Sequence, residues 1–590
     1  MNKKMKNNQI LKRIALVSVS ALTLTFACKD QFLEVPPTGS LAQAQLTSKA
    51  GVEGTLIGAY SALAAKNFTQ VAASNNWLWG SILGGENNKG TDPGDFSAIN
   101  PMQRFETSPT QGEVNGTWQA KYEGIARANA AINLANASKE LSAADKTRII
   151  GEARFLRGHF YFELKRLFNS VPYVDETLDY GKGIEKVPNT PDIWGKIEAD
   201  FKFAYDNLPE TQSGAGRANK WAAGAYLAKT YLYQSKFADA KALFTTVIAS
   251  GKTTNGKPYG LVAKFADAFN AAYDNNEESV FAIQSSMNTG NVNNSNAFDV
   301  LNYPYNTGPD GPGNCCGFFM PSFSLANSYR TTAAGLPILT EQADGTPDYN
   351  LPANAVKHDY GISSSAAFTE DAGPLDPRID HTIGRRGIQY LDWIEHPGAN
   401  WIRNQPYAGV YSPKKFVYYK TQENSLTDGS GWTRGYATMN YNIIRFSDVL
   451  LMAAEAEIEA GSLTTALGYI NQVRNRAANP ASFVKNKTTG ANEANYVIAP
   501  YTAFADKATA QKAVRLERML ELATEGHRFF DLVRWGITAK TMNAYLKYEG
   551  SILVTMFGGA TFKTGREYLP IPQAQIDITG SSILKQNPSY

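Results

Sequence analysis

Apolar residues recur every three to four positions in two blocks of this chain, and between the blocks that period disappears. In the first block Leu156, Phe160, Leu164 and Leu167 share one face of a predicted helix, as the 3.6-residue turn requires. Ser142-Ala-Ala-Asp145 has the form of a capping box at its start, and Pro172 lies just past its end. Thr190-Pro191 predicts the N-cap and first position of another helix, along which Ile193, Ile197 and Phe201 recur until Leu208-Pro209 stops it. Next comes a helix with Trp221, Ala225, Ala228 and Leu232, a turn near Ser235, and a helix with Ala240, Leu243 and Val247. This pair, Ala218 to Gly251, spans about 34 residues, the tetratricopeptide period. The second block repeats the theme. Phe446, Leu450 and Ala453 lie on one helix, Gly461 ends it, and Ala466, Ile470 and Val473 lie on the next. A third pair carries Leu516, Leu520 and Ala523, breaks at Gly526, and resumes through Phe530, Val533 and Trp535. Pairs so far apart cannot form one continuous solenoid in sequence, but they can stack in space around what separates them.

What separates them, from about residue 252 to 439, is rich in Gly, Pro, Asn and aromatics, with short alternating stretches such as Phe416-Val-Tyr-Tyr419. Loops of this length in a folded chain are usually functional. Gly308-Pro-Asp-Gly-Pro-Gly313 is interrupted by prolines and lacks a strand-turn-helix setting, so it reads as a turn cluster rather than a phosphate loop.

At the N-terminus Lys3, Lys4, Lys6, Lys12 and Arg13 precede an apolar run from Ile14 to Phe26, then Ala27 and Cys28. This is the layout of a secretory signal, and the run is too short for the roughly 20 residues of a membrane-spanning helix. Ala27-Cys28 resembles a lipobox, at which the cysteine thiol receives diacylglycerol. An ordinary signal peptide that happens to end beside a cysteine is the alternative. Residues 29–40, with Pro36, Pro37 and Gly39, read as a polar tether.

The chain has 590 residues, 43% hydrophobic and 19% charged, an ordinary globular composition. Its formal charge of +3 falls to −2 once the five basic residues of the first 27 are set aside, so the balance gives no support for nucleic-acid binding. Apart from Cys28 the cysteines are Cys315 and Cys316. They can form an adjacent-residue disulfide or remain two packed thiols. Neither Cys nor His lies at zinc-ligand spacing.

Several segments resemble the SusD/RagB family. Arg515-Leu-Glu-Arg518-Met-Leu-Glu521-Leu-Ala-Thr-Glu525-Gly526-His-Arg528-Phe-Phe-Asp531-Leu-Val-Arg534-Trp535-Gly536 is similar to its C-terminal signature. So are Leu569-Pro-Ile-Pro-Gln573-Ala-Gln-Ile-Asp577 and the ending Gln586-Asn-Pro588-Ser-Tyr590. Phe32-Leu-Glu34, Glu152-Ala-Arg-Phe-Leu-Arg157, Asp376-Pro-Arg378 and the run from Ile444 to Ala456 follow the family's order along the whole mature chain.

The resemblance implies a mainly α fold: a tetratricopeptide-like helix-pair scaffold with a long loop-rich insertion containing short strands. It implies a signal peptide over 1–27, a tether over 28–45 and one SusD-like domain over 46–590. Within that domain the scaffold would occupy about 46–251 and 440–540, and the ligand-site insertion about 252–439. It further implies a nutrient-binding outer-membrane lipoprotein of Bacteroidota, anchored through Cys28 and facing the cell exterior. Such a protein captures a glycan, or in the RagB-like alternative a peptide, for a SusC-like TonB-dependent transporter. No cofactor beyond the lipid, no metal and no catalysis are expected. Arg515, Arg518, Glu521 and Glu525 lie three and four residues apart, so a helix brings opposite charges side by side, and a bracing role is expected for them.

Sugar capture needs flat apolar ring faces and a few hydrogen-bonding groups. Two pools of such residues exist. One is Asn75-Asn-Trp77-Leu-Trp79 with the polar loop from Glu86 through Asn87 to Asp95. The other is spread through the insertion: Tyr303, Tyr305, Phe318, Phe319, Trp393, Trp401, Tyr411 and Trp432. From these, Trp77, Trp79, Asn87, Tyr305, Phe318, Trp393 and Trp432 are the candidate ligand residues, while Trp194 and Trp221 sit on periodic apolar faces and read as packing. A secreted polysaccharide hydrolase is the competing class, but neither a Gly-x-Ser-x-Gly elbow nor a His-Glu-x-x-His helix is present. A tetratricopeptide scaffold binding only proteins is a third reading, against which the aromatic-rich insertion argues.

Overall fold

The computed structural model describes residues 43–590 apart from 191 and 314. The predicted signal peptide, Cys28 and most of the tether lie outside the described residues. Eleven longer helices carry the scaffold: α1 (Lys49–Ser61), α2 (Gly112–Ala137), α3 (Ala143–Phe168), α4 (Trp194–Asn207), α5 (Lys220–Tyr233), α6 (Phe237–Ser250), α7 (Phe446–Ala460), α8 (Leu463–Ala477), α9 (Lys507–Leu522), α10 (Arg528–Arg534) and α11 (Thr538–Ile552). Their ends follow local chemistry. The Ser142 hydroxyl accepts the Asp145 backbone N–H at the start of α3, and the Asn219 side chain accepts that of Ala222 at the start of α5. Ser235, in the left-handed region at φ 56°, turns the chain between α5 and α6. One boundary differs from expectation. Thr190 belongs to a strand and α4 begins at Trp194, with Ile193 at its N-cap, while Pro191 lies outside the described residues.

Each of α2 to α6 packs on the next, and α6 packs directly against α7 although the insertion separates them. Helix α7 in turn packs on α8 and α9. The apolar faces read from the sequence are the buried ones: Leu156, Phe160 and Leu164 of α3, Leu450 of α7 and Ile470 of α8 are fully enclosed. Burial of such faces, at about 25 cal/mol per Å² of apolar surface, is what holds helix pairs together. Among the described residues no helix is long and apolar enough to cross a membrane.

The strands are short and pair antiparallel in twos. β1 (Asn87–Gly90) pairs with β5 (Phe318–Pro321), β2 (Val171–Pro172) with β3 (Asn189–Thr190), β4 (Ser279–Ile283) with β8 (Tyr441–Arg445), and β6 (Ile383–Gly384) with β7 (Ser412–Pro413). Opposing Ile283 to Tyr441 and Phe281 to Ile444, the β4–β8 ladder closes the insertion at its base. The alternating stretch Phe416–Tyr419 is not a strand. Its Val417 and Tyr418 instead enter a small separate core with Tyr303, Tyr390, Trp393, Trp401 and Met439.

Of the charged signature residues, Arg518, Glu521 and Glu525 are buried braces, and their partners lie on other elements rather than along the same helix. Glu521 contacts Arg378 at 3.0 Å, Arg445 at 2.5 Å and Arg476. Burial alone would raise the Glu521 carboxyl, but the three guanidinium charges outweigh it and hold the group well below its usual range. Glu525 joins Lys415 and Arg445 at 2.7 Å each, and Arg518 joins Asp448 and Asp531 at 2.7 and 2.8 Å. Arg515 lies over the Trp535 ring. Asp376-Pro-Arg378 belongs to the same network, since Arg378 binds Asp376 and Glu517 at 2.7 Å each. The C-terminal motif is a staple. The Asn587 side-chain amide donates to the carbonyls of Phe168 and Leu569, tying the tail to the end of α3.

Candidate functional site

The segment from Asn75 to Trp79, the first pool of candidate ligand residues, runs into a buried π-helical turn over Trp77–Ile82. Gly80 lies so close to Gly526 that a Cβ there would meet the Gly526 carbonyl oxygen at 1.9 Å. Only glycine allows this approach, which draws both tryptophans into the core. Trp77 donates its indole N–H to the Gln70 carbonyl and meets Phe319 edge-on at 5.8 Å. Trp79 is fully enclosed. Asn87 is buried in β1 and donates to the Phe319 carbonyl at 2.8 Å. Phe318 packs beneath the surface against Phe96, and Trp393 donates to the Tyr418 carbonyl inside the insertion's own core. Trp77, Trp79, Asn87, Phe318 and Trp393 therefore present no open face to a sugar, and their expected role as ligand residues is corrected to packing. Tyr303, Phe319, Trp401 and Tyr411 are buried for the same reason. Phe319 and Tyr411 enter the main core shared with the helices, while Tyr303 and Trp401 enter the insertion's smaller cluster, and large aromatic rings fill both.

Two candidates remain at the surface. Trp432 is 66% exposed, while the other eight tryptophans are buried or half-buried. Tyr305 is half-buried. Both border the loop that carries Cys315 and Cys316, whose sulfur atoms are joined. On one side the Thr433 hydroxyl, next to Trp432, lies 4.0 Å from Cys315 Sγ. Arg434 ties that strand of chain down by donating to the Gly308 carbonyl at 2.5 Å and pairing with Glu423 at 2.5 Å. On the other side the Arg403 guanidinium lies 5.5 Å from the centre of the Tyr305 ring. Arg403 also pairs with Asp92 at 2.8 Å and Asp95 at 2.5 Å, bringing in the loop after β1.

That loop is strapped from below. Lys89 is buried and donates to the carbonyls of Asp92 and Asp95 at 2.7 Å each. Burial lowers its ammonium to about 8, opposed by the two aspartates. The Asp92 carboxyl is held below its usual range by the Asp95 and Gly94 backbone N–H groups, with further help from Arg403 and Lys89. The result is an exposed indole on one side of the Cys315–Cys316 loop and a half-exposed phenol with charged donors and acceptors on the other. Sequence reasoning missed Arg403 and Arg434. Arg403 sits 308 residues from Asp95, so no local spacing marks the pair.

A groove of about 550 Å³ lies elsewhere, between α2, the segment around Tyr180 and the C-terminal segment at Ile578.

Residues 277–590 match the model of the SusD family, and residues 31–232 match a second model described as starch-binding and associating with the outer membrane. The chain belongs to the SusD family. It is similar to SusD-like protein P2 of Formosa agariphila, with 24% identity over 98% of this chain and 100% of that one. In fold it is similar to a SusD superfamily protein from Bacteroides vulgatus, with a TM-score of 0.66 and 22% identity over 92% of this chain and 99% of the other. It is likewise similar to surface glycan-binding protein A from Bacteroides thetaiotaomicron, solved in complex with laminarihexaose, with a TM-score of 0.64 and 19% identity over 92% and 99%.

Proposed function

We propose that this chain is a non-catalytic glycan-capture lipoprotein of the outer membrane. It is anchored through Cys28, faces the cell exterior, and delivers an oligo- or polysaccharide to a SusC-like TonB-dependent transporter. The observation that carries the reading is the rim around Trp432. An exposed indole is held by a loop tied to the disulfide segment, with Tyr305 and the Arg403–Asp92–Asp95 group bordering the same segment. Ring faces of this kind stack on the C–H face of a sugar, and fixed polar groups select its hydroxyls. The laminarihexaose complex of a fold relative supports a glycan as the ligand class. The buried state of the signature carboxylates, all engaged by Arg or Lys, supports a structural use for them rather than acid–base chemistry.

A glycan array followed by calorimetry on the purified protein tests this. Trp432→Ala should weaken binding of the captured oligosaccharide at least tenfold, with helical content unchanged. Undiminished binding in that variant would dismiss the rim, and sustained turnover of the bound sugar would overturn the non-enzymatic assignment.

A further inference from the structure

The groove of about 550 Å³ beside α2 shares no residue with the surroundings of Trp432. Phe68, Trp118, Tyr122 and Tyr180 line it with aromatic rings, and the C-terminal segment adds Ile578 and Leu584. Tyr180 is 43% exposed and Ile578 72%, so large apolar side chains stand open to solvent in one concave surface. Apolar surface gathered in this way marks a place of contact. The polar groups around it are engaged within the fold. Tyr122 donates its hydroxyl to the Pro172 carbonyl at 2.7 Å, the Tyr180 hydroxyl accepts from the Asn129 amide at 2.9 Å, and Gln575 donates to Asn115 at 2.9 Å. No cation lines the groove, and of its two acids Glu123 is paired with Arg127 at 2.8 Å. A sugar would meet ring faces here but few hydrogen-bonding groups left to select its hydroxyls. Grooves walled by aromatic rings are instead typical seats for extended, proline-rich peptide.

The chain carries such a peptide within reach. Phe32-Leu-Glu-Val-Pro-Pro37 has Glu34 as its one charged residue among apolar ones. Pro36 and Pro37 preset an extended backbone, which lowers the entropy lost on docking. The described chain starts at Gln43. A few residues on, the Thr47 carbonyl accepts the Ser138 hydroxyl and the Lys49 N–H donates to Glu140, just past the C-terminal end of α2. One wall of the groove follows α2 toward that end, since Asn129 donates to the Val174 carbonyl and Asn133 to that of Glu176. Ala126, in the groove, lies about 12 residues before Ser138 along the helix line, roughly 18 Å at 1.5 Å per residue. The stretch from Phe32 to Gln43 spans up to about 36 Å when extended. That length suffices to lay residues 32–37 along the groove.

We propose that Phe32–Pro37 docks in this groove as a strap, its apolar side chains covering Tyr180 and Ile578. Only residues 29–31 then separate Cys28 from the folded body, so the groove face is held toward the membrane surface. The docking stands on the groove and the reach of the chain, whereas the orientation it imposes rests on lipid attachment at Cys28 in the reading above.

Hydrogen exchange read by mass spectrometry on the purified mature protein tests the strap. The amides of residues 32–35 should exchange at least tenfold more slowly than in the same segment as a free peptide. Ile578→Asp, at an exposed groove position, and Val35→Asp, in the strap, should each bring exchange to within about threefold of the free-peptide rate, with helical content unchanged. Should Ile578→Asp lose helical signal, Val35→Asp decides the matter. Free-peptide rates in the unaltered protein, or protection that survives in the folded variants, would overturn the proposal. So would a dimer in sedimentation that Ile578→Asp dissociates while exchange at residues 32–35 stays the same, which assigns the groove to a second copy of the chain. Cys28→Ser should keep the protection in full, so failure of the lipid anchor and failure of the strap are read separately.

Discussion

At the scale of single residues, burial decides roles that residue type leaves open. Trp79 and Trp432 are the same side chain, each beside a glycine in the chain, yet one is enclosed and the other 66% exposed. Glu86 shows the same point for a charge. It is 1% exposed, and burial raises its carboxyl to about 8 against hydrogen bonds from Ser81 and the Thr524 N–H. Its folded value lies above its ordinary 4.5, so between pH 4.5 and 8 the folded protein holds a proton that the unfolded chain has lost. Stability from this group is therefore full below pH 4.5 and declines as pH rises to 8, by about 1.4 kcal/mol per pH unit at most. Glu86→Gln should flatten the fall in melting temperature between pH 5 and 8, and an unchanged slope by calorimetry would refute the assignment. The cysteine pair is tested as directly. If the disulfide is formed in solution, alkylation of unreduced protein should leave Cys315 and Cys316 unlabelled in a mass map.

At the scale of elements, helices were legible where a periodic apolar face and a capping residue agree. The start of α3 at Ser142 and the end of α7 at Gly461 are of this kind. Ser142→Ala should cost about 1 kcal/mol in denaturant unfolding, since it removes the acceptor for the Asp145 N–H. Where the period failed, reading failed too. Trp77–Ile82 turns inward because Gly80 meets Gly526 across more than 400 residues, and Phe416–Tyr419 alternates without pairing. The charges of α9 illustrate a subtler limit. Their spacing of three and four was visible, but Glu521 and Arg518 reach partners on other elements. Arg445→Met strips Glu278, Glu521 and Glu525 of a shared cation. Leaving buried carboxylates uncompensated should destabilise by about 3–5 kcal/mol, and a loss below 1 kcal/mol in urea unfolding would show that the network is dispensable.

At the scale of the whole molecule, two sequence blocks become one scaffold because α6 and α7 pack together and the β4–β8 ladder closes the insertion between them. The insertion is bound to the helices through buried ion pairs of Arg378 and Lys415 as well as through shared core residues, and it adds a small cluster of its own. The proposed anchor belongs to this scale as well. Cys28→Ser is expected to shift the protein from the membrane pellet to the soluble fraction, as two acyl chains supply what one cannot, and unchanged pelleting would refute lipid attachment at that residue. By itself the sequence determined the helix pairs and the family, because periodicity, caps and motifs are local and survive without knowledge of contacts. Only the tertiary structure decided which aromatics face solvent, which acids meet which arginines, and that Arg403 stands beside Tyr305. Those outcomes depend on approaches between residues hundreds of positions apart, and no spacing along a chain records them.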